Sequence, residues 1–288
     1  MHISKAVRPL LILLTSLWLL SGCASLTSTA TSRLAGNLSD AILDQDDPAT
    51  VREALPSYLV MVDGLIANDP RNPKLLASGA QLYSAYASWF VTKPERLQRL
   101  TARGKDYGQR ALCAVDETVC RALNGRTDQF VAAVDKLDKD QVPAAYAAAV
   151  AWAAWLQARR GDWNAIADLP KITALFRRVV ILEPGYDQGG AYQYLGIIDS
   201  LLPPAMGGQP AVAKQDFEQA VAFSKGRNLM AKVMYARYYA PLVQDKALYE
   251  KLLHEVLAAT PQAPGFTLTN VMAQQQATQL LKDVDRHF

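Results

Sequence analysis

The chain has 288 residues, half of them hydrophobic and a fifth charged, and its 30 Lys and Arg against 27 Asp and Glu give a formal charge of +3. That length allows a large buried core, and the apolar content excludes a disordered chain. The weak positive balance argues against a nucleic-acid binder, which needs a concentrated basic surface. Three Cys are too few for a disulfide-stapled miniprotein.

Lys5 and Arg8 precede an uncharged apolar run, Leu10 to Leu20. It spans about 11 residues, where a membrane-crossing helix needs about 20, so it reads as a secretory signal. Leu20-Ser21-Gly22-Cys23 resembles the lipobox of bacterial lipoproteins. The resemblance implies cleavage before Cys23 and acylation of its thiol and amine; two or three acyl chains hold a domain on a membrane durably. Ala24 stands where that family places Asp as an inner-membrane retention signal, so the periplasmic face of the outer membrane is the expected location. The alternative is an ordinary secreted protein with Cys23 buried. Removing residues 1–22 takes Lys5 and Arg8 from the 30 basic residues, leaving 28 against 27 acidic ones, so the mature chain has no electrostatic preference for an acidic partner. Ala24 to Ser32 is small and polar, the composition of a tether. The expected organisation is a signal peptide over 1–22, a lipidated tether over 23–36 and a folded domain over 37–288.

From there the pattern is helical throughout, an all-α fold of about eleven helices. Val51–Ala67, Leu75–Val91 and Pro94–Ala114 come first, then Thr127–Leu137, Pro143–Arg160 and Ile172–Leu182. Gly190–Leu202, Val212–Ser224, Leu229–Pro241, Lys246–Ala259 and Thr267–Val284 complete the set. Gln141 to Ala158 carries no charge, but its many Ala insert poorly into a membrane. It reads as a central helix whose small side chains let neighbours approach, with Trp152 and Trp155 filling gaps.

Pro70, Pro184 and Pro261 each follow an amphipathic helix and precede another, resembling the junctions of tetratricopeptide (TPR) repeats. Their spacings are not multiples of about 34 residues, so the expected architecture is a TPR-like solenoid of helical hairpins with degenerate repeats. Leu201 to Val212 reads as an insertion.

No HExxH, zinc-ligand spacing, G-x-S-x-G or phosphate-cradling glycine pattern occurs in the sequence, so no cofactor, metal site or catalytic residue is expected. Gly189-Gly190 and Gly207-Gly208 read as helix breaks. Cys113 and Cys120, seven residues apart, would lie about 10 Å apart on one continuous helix, too far to bond. Asp116-Glu117-Thr118 between them offers a helix end and a new cap, and in an oxidising compartment a structural disulfide is expected.

Aromatic residues gather on the proposed first helices of the hairpins. Tyr83, Tyr86, Tyr192, Tyr194, Tyr235 and Tyr238, with Arg237 between two of them, are candidates for a ligand- or partner-binding surface. Inter-repeat core is the competing role for at least half of these aromatics, and a plain surface cation for Arg237.

A family resemblance rests on a run of motifs. From Gly207-Gly208 the chain reads Phe217-x-x-Ala220, Leu229-Met230-Ala231-Lys232-Val233, Ala236-Arg237-Tyr238-Tyr239-Ala240, Asp245 and Leu252-Leu253-x-x-Val256-Leu257. Upstream stand Leu82-Tyr83-Ser84-x-Tyr86-Ala87 and Lys105-Asp106-Tyr107. Over residues 37 to 286 the sequence resembles the T-component family of tripartite ATP-independent periplasmic (TRAP) transporters. The resemblance implies a periplasm-facing lipoprotein with a TPR-like fold that partners the solute-binding component, and a channel for a ligand such as a hydrophobic organic acid. Two other classes compete: a TPR-like scaffold for envelope assembly, and an all-α lyase for which Glu183 is a poor catalytic candidate. Self-association into a homo-oligomer is compatible with the sequence and undecided by it.

Overall fold

The computed structural model describes residues 41–206 and 208–288, and every regular element among them is helical. The signal peptide, Cys23 and most of the domain's first few residues lie outside the described residues.

Proline and short polar caps set the starts of the helices. Asp47 accepts hydrogen bonds from the amides of Ala49 (2.9 Å) and Thr50 (3.2 Å) ahead of α1, Pro48–Asn68. Asn72 does the same for α2, Pro73–Phe90, receiving the Lys74 and Leu75 amides at 3.0 and 3.2 Å. In both, proline takes the first helical position, where its missing N–H leaves no bond unmade. Pro94 opens α3, Pro94–Val115, likewise.

Asp116 then turns extended (φ −149°) and its carboxylate accepts from the Val119 amide at 2.7 Å, starting a separate short helix, α4, Glu117–Ala122. This break folds the chain back so that Cys113 and Cys120, with Cα atoms 4.5 Å apart, are joined by a disulfide. There follow α5, Thr127–Val134, and α6, Val142–Gln157, then α7, Trp163–Ile166, and α8, Leu169–Leu182. The second half comprises α9, Gly190–Asp199, α10, Pro210–Phe223, and α11, Leu229–Met234, which runs through a π-helical segment, Tyr235–Tyr239, into α12, Ala240–Leu242. The chain ends with α13, Lys246–Ala258, and α14, Thr267–Lys282.

Helices joined by short loops pack on one another: α1 on α2, α2 on α3, α13 on α14. The charge-free helix α6 lies at the centre, against α2, α3 and α8. Ala144 to Ala149, Ala151 and Trp152 are all buried, so the lack of charge over this part of the helix reflects a protein environment. No described helix is long and apolar enough to cross a membrane. Gly108 of α3 makes the close approach to α6 possible, because a Cβ there would stand 2.8 Å from Ala148 Cα. Such small residues at a crossing let backbones meet directly.

Three apolar clusters form the core. One joins Val51, Leu55, Leu59, Val62 and Ile66 of α1 to α2, α3, α6 and to Leu268 and Met272 of α14. The last helix thus returns to the first, and Asp44 accepts from the Gly265 amide across the same seam at 2.6 Å. An open array of repeats, in which each unit touches only its neighbours, lacks such a closure. A second cluster centres on Trp152, Phe130, Phe176 and Leu112, and a third on Phe217, Tyr235, Tyr249 and Leu253. Each fully buried large apolar side chain contributes about 1.5–3 kcal/mol.

Charged groups inside this frame are tied to named partners. Lys171, 7 % exposed, donates to the carbonyls of Leu123 (2.8 Å) and Gly125 (3.0 Å), closing the end of α4. Lys105 lies 3.2 Å from Asp168 and over the ring of Trp155, while Trp152 Nε1 donates to the same carboxylate at 2.9 Å. Burial pushes the Lys105 pKa down against the pull of Asp168; the group ties α3, α6 and α8 together.

The seam between α9 and α10 holds two acids. Asp199 has one buried carboxylate oxygen with no hydrogen-bond partner, and its neighbour Asp216 is pushed up to about 7, by burial first and by the Asp199 charge second. A proton on Asp216 supplies the missing donor. A carboxyl whose pKa is raised on folding stabilises the fold fully below its ordinary value of 3.8 and loses that contribution as pH climbs through about 7. Asp216→Asn is therefore expected to stabilise the protein by about 1–2 kcal/mol more at pH 8 than at pH 5, after allowance for the partial exposure of the site. Chemical denaturation at the two pH values checks this, and an equal effect at both would remove the shared proton.

Candidate functional site

A cavity of about 480 Å³ opens between α1, α2, α6 and the start of α9. That lies within the range of small-molecule sites, which are mostly apolar with a few placed polar groups. The helical period of α2 explains why there is space. One stripe of α2, Leu76, Ala80, Tyr83 and Ala87, is buried in the core. The stripe turned to the cavity carries Ser78, Gln81, Ser84, Ala85 and Ser88, small or flexible side chains at helical spacing that leave volume unfilled. Leu55, Val62 and Leu65 of α1, Leu75, Leu82 and Trp89 of α2, and Val150 of α6 supply apolar wall. Ile42 and Leu43, ahead of α1, also line it.

Tyr146, Asp187 and Tyr194 form the polar end. The Tyr146 hydroxyl donates to Asp187 Oδ2 at 2.5 Å. The backbone that carries Asp187 is unusual: Asp187 (φ 48°), Gln188 (φ 52°) and Gly189 (φ 82°) are all left-handed, three in a row before α9. For the two non-glycine residues this conformation costs about 1–2 kcal/mol each. Gly190 must stay side-chain-free, since a Cβ would sit 2.3 Å from the Tyr146 hydroxyl and 2.7 Å from Asp187 Oδ2. Asp187 is open to the cavity it lines, yet protein surrounds it closely enough to push its carboxyl pKa up, with the Tyr146 hydrogen bond opposing. Burial, and then the charge of Asp187, raise the tyrosines beside it, Tyr146 well above its ordinary value and Tyr194 to about 12. Both phenols are therefore neutral donors at neutral pH.

A second recess, of about 660 Å³, shares Ser88 and Ala154 with the first and is more polar, with Arg159, Arg160 and Asp162 on its walls. Arg159 is already engaged, donating to the Gln98 carbonyl at 3.0 Å and lying over the Trp155 ring.

The aromatic candidates from the sequence are dispersed. Tyr194 lines the cavity and stacks on Phe176, centroids 4.7 Å apart. Tyr83 is buried and donates to Asp63 at 2.8 Å, and Tyr107 donates to the same carboxylate at 2.6 Å, so these tie α1, α2 and α3. Tyr86 is buried, its hydroxyl accepting from Arg96 at 3.1 Å. Tyr192 stacks on Phe223 and Tyr235 on Phe217. Arg237 is exposed on the π-helical segment with its guanidinium 5.6 Å from the Tyr238 ring centroid. Glu183 caps the end of α8 near Lys139 and is not a wall of the cavity. Sequence reasoning missed Tyr146 and Asp187. The signals available were the small polar stripe of α2 and an Asp just before a Gly-Gly helix break.

Fold and cavity define an all-helical protein that bears an open, ligand-sized, mainly apolar recess with one acidic end. Residues 44–288 match the TRAP transporter T-component family, and the chain belongs to that family. It is therefore a transporter accessory component by family, not a member of a known enzyme class. It is also similar to an uncharacterized protein of Treponema pallidum (strain Nichols), 22 % identical over 280 residues that cover 88 % of this chain and 86 % of that protein.

Proposed function

We propose that the protein is a lipoprotein anchored through Cys23 to the periplasmic face of the outer membrane, with residues 23–36 as tether and the helical domain from residue 37 as a TPR-like accessory of a TRAP transporter. It docks the solute-binding component and holds an apolar ligand in the cavity between α1, α2 and α6. The observation that carries the reading is the family match over 44–288, together with a cavity of ligand size whose walls are mainly apolar. The helical surfaces suit docking, and the acyl groups would keep the complex at the membrane.

Affinity purification from solubilised membranes of the native cells tests it. A solute-binding protein should co-purify with the wild type, and Cys23→Ser should move both proteins into the soluble fraction. Recovery of envelope-assembly machinery in place of a solute-binding protein would favour the scaffold role. Unchanged fractionation of Cys23→Ser would remove the anchor.

A further inference from the structure

Asp187 is the one charged side chain among the described residues that line the apolar cavity. Among the described residues no Lys or Arg pairs with it, and its hydrogen-bond donor is the Tyr146 hydroxyl. The carboxylate is held there by a left-handed Asp187-Gln188-Gly189 turn and by the absence of a side chain at Gly190. A structural acid would end in a salt bridge or in amides, as Asp63, Asp168 and Asp116 do. This one ends in open volume, beside the neutral ring of Tyr194.

We propose that Asp187 is the head-group receptor of the cavity and selects an apolar molecule carrying an ammonium group, the tail lying along α1 and α2. This rests on the ligand-holding role proposed above and sharpens it. An ammonium supplies donors to the remaining lone pairs of Asp187 and Tyr146, as charge-assisted hydrogen bonds. The organic acid implied by the family resemblance would put a like charge beside Asp187, with no cation among the described residues of the cavity wall to offset it.

Binding of octylammonium and octanoate to the purified protein at pH 7.5, below their micellar concentrations, tests this by calorimetry. Octylammonium should bind at least tenfold tighter than octanoate, the size expected of one charge-assisted contact. Asp187→Asn, whose shape is preserved, should bring the two ligands within about threefold of each other. Ala85→Phe, which fills the cavity from α2, should abolish octylammonium binding while circular dichroism stays helical. Equal or tighter octanoate binding overturns the proposal. So does an ammonium preference that survives Asp187→Asn, binding that survives Ala85→Phe, or no ammonium binding at millimolar concentration. The assay contains no solute-binding protein, so its failure leaves the co-purification result standing, and the reverse holds too.

Discussion

Asn270→Ala is expected to lower the unfolding free energy by about 2–4 kcal/mol. Asn270 is completely buried on α14. Its Oδ1 accepts from the Leu229 amide at 2.9 Å, and its Nδ2 donates to the carbonyls of Arg227 (2.8 Å) and Pro261 (3.0 Å). One side chain thus fastens the start of α11 and the loop before α14 to the last helix. Truncation leaves the buried Leu229 amide without a partner, at about 1–3 kcal/mol, strips two half-buried carbonyls of a donor that water replaces in part, and vacates packed space. For a domain of this size the midpoint of thermal unfolding should fall by roughly 10 °C. Urea titration with an unchanged slope would confirm a loss of stability rather than a change in the unfolded state. A loss under 1 kcal/mol would mean that these bonds are dispensable.

Gly108→Val should be comparably severe, about 3–4 kcal/mol, and the mechanism is steric. The new Cβ falls 2.8 Å from Ala148 Cα, a main-chain atom on the central helix that cannot swing aside. Relief requires parting α3 from α6, which opens the core around Tyr107 and Trp152. Gly64→Ala on α1 is the control, because nothing lies within 4 Å of its added methyl. That change should stabilise by about 0.5–1 kcal/mol through helix propensity alone. Opposite signs at two helical glycines, read from thermal melts, check the packing of α3 on α6. Two small effects of the same sign would contradict it.

Much of the fold was legible in the sequence. The Asp47-Pro48 and Asn72-Pro73 pairs announce helix starts because proline tolerates only the first turn and the preceding side chain satisfies free amides. The stripe Leu55, Leu59, Val62 and Ile66 announces a buried face. The charge-free run over α6 announced its central place. The π-helical stretch Tyr235–Tyr239 was not legible, since its five-residue register differs from α-helix by one residue and leaves no distinct pattern in side-chain type.

The site was less readable, for a reason that α2 shows directly. Its sequence contains two stripes, one apolar with Tyr83 and one of serines, and periodicity gives their separation around the axis without saying what each will face. Tyr83 looked like lining because aromatics suit ligands; packing of α1 and α3 placed it over Asp63 instead. The serine stripe drew no reading from the sequence, because only the placing of α1 and α6 beside it makes it one wall of a cavity.

The sequence by itself determined that the chain is all-helical, where most helices begin and end, and which family it belongs to, because these depend on local caps, periodicity and motif order. Only the tertiary structure decided that α14 closes on α1 and that a cavity ends at Asp187. Those features join residues far apart in the chain, and their positions follow from how whole helices fit together, which no local pattern of side chains encodes.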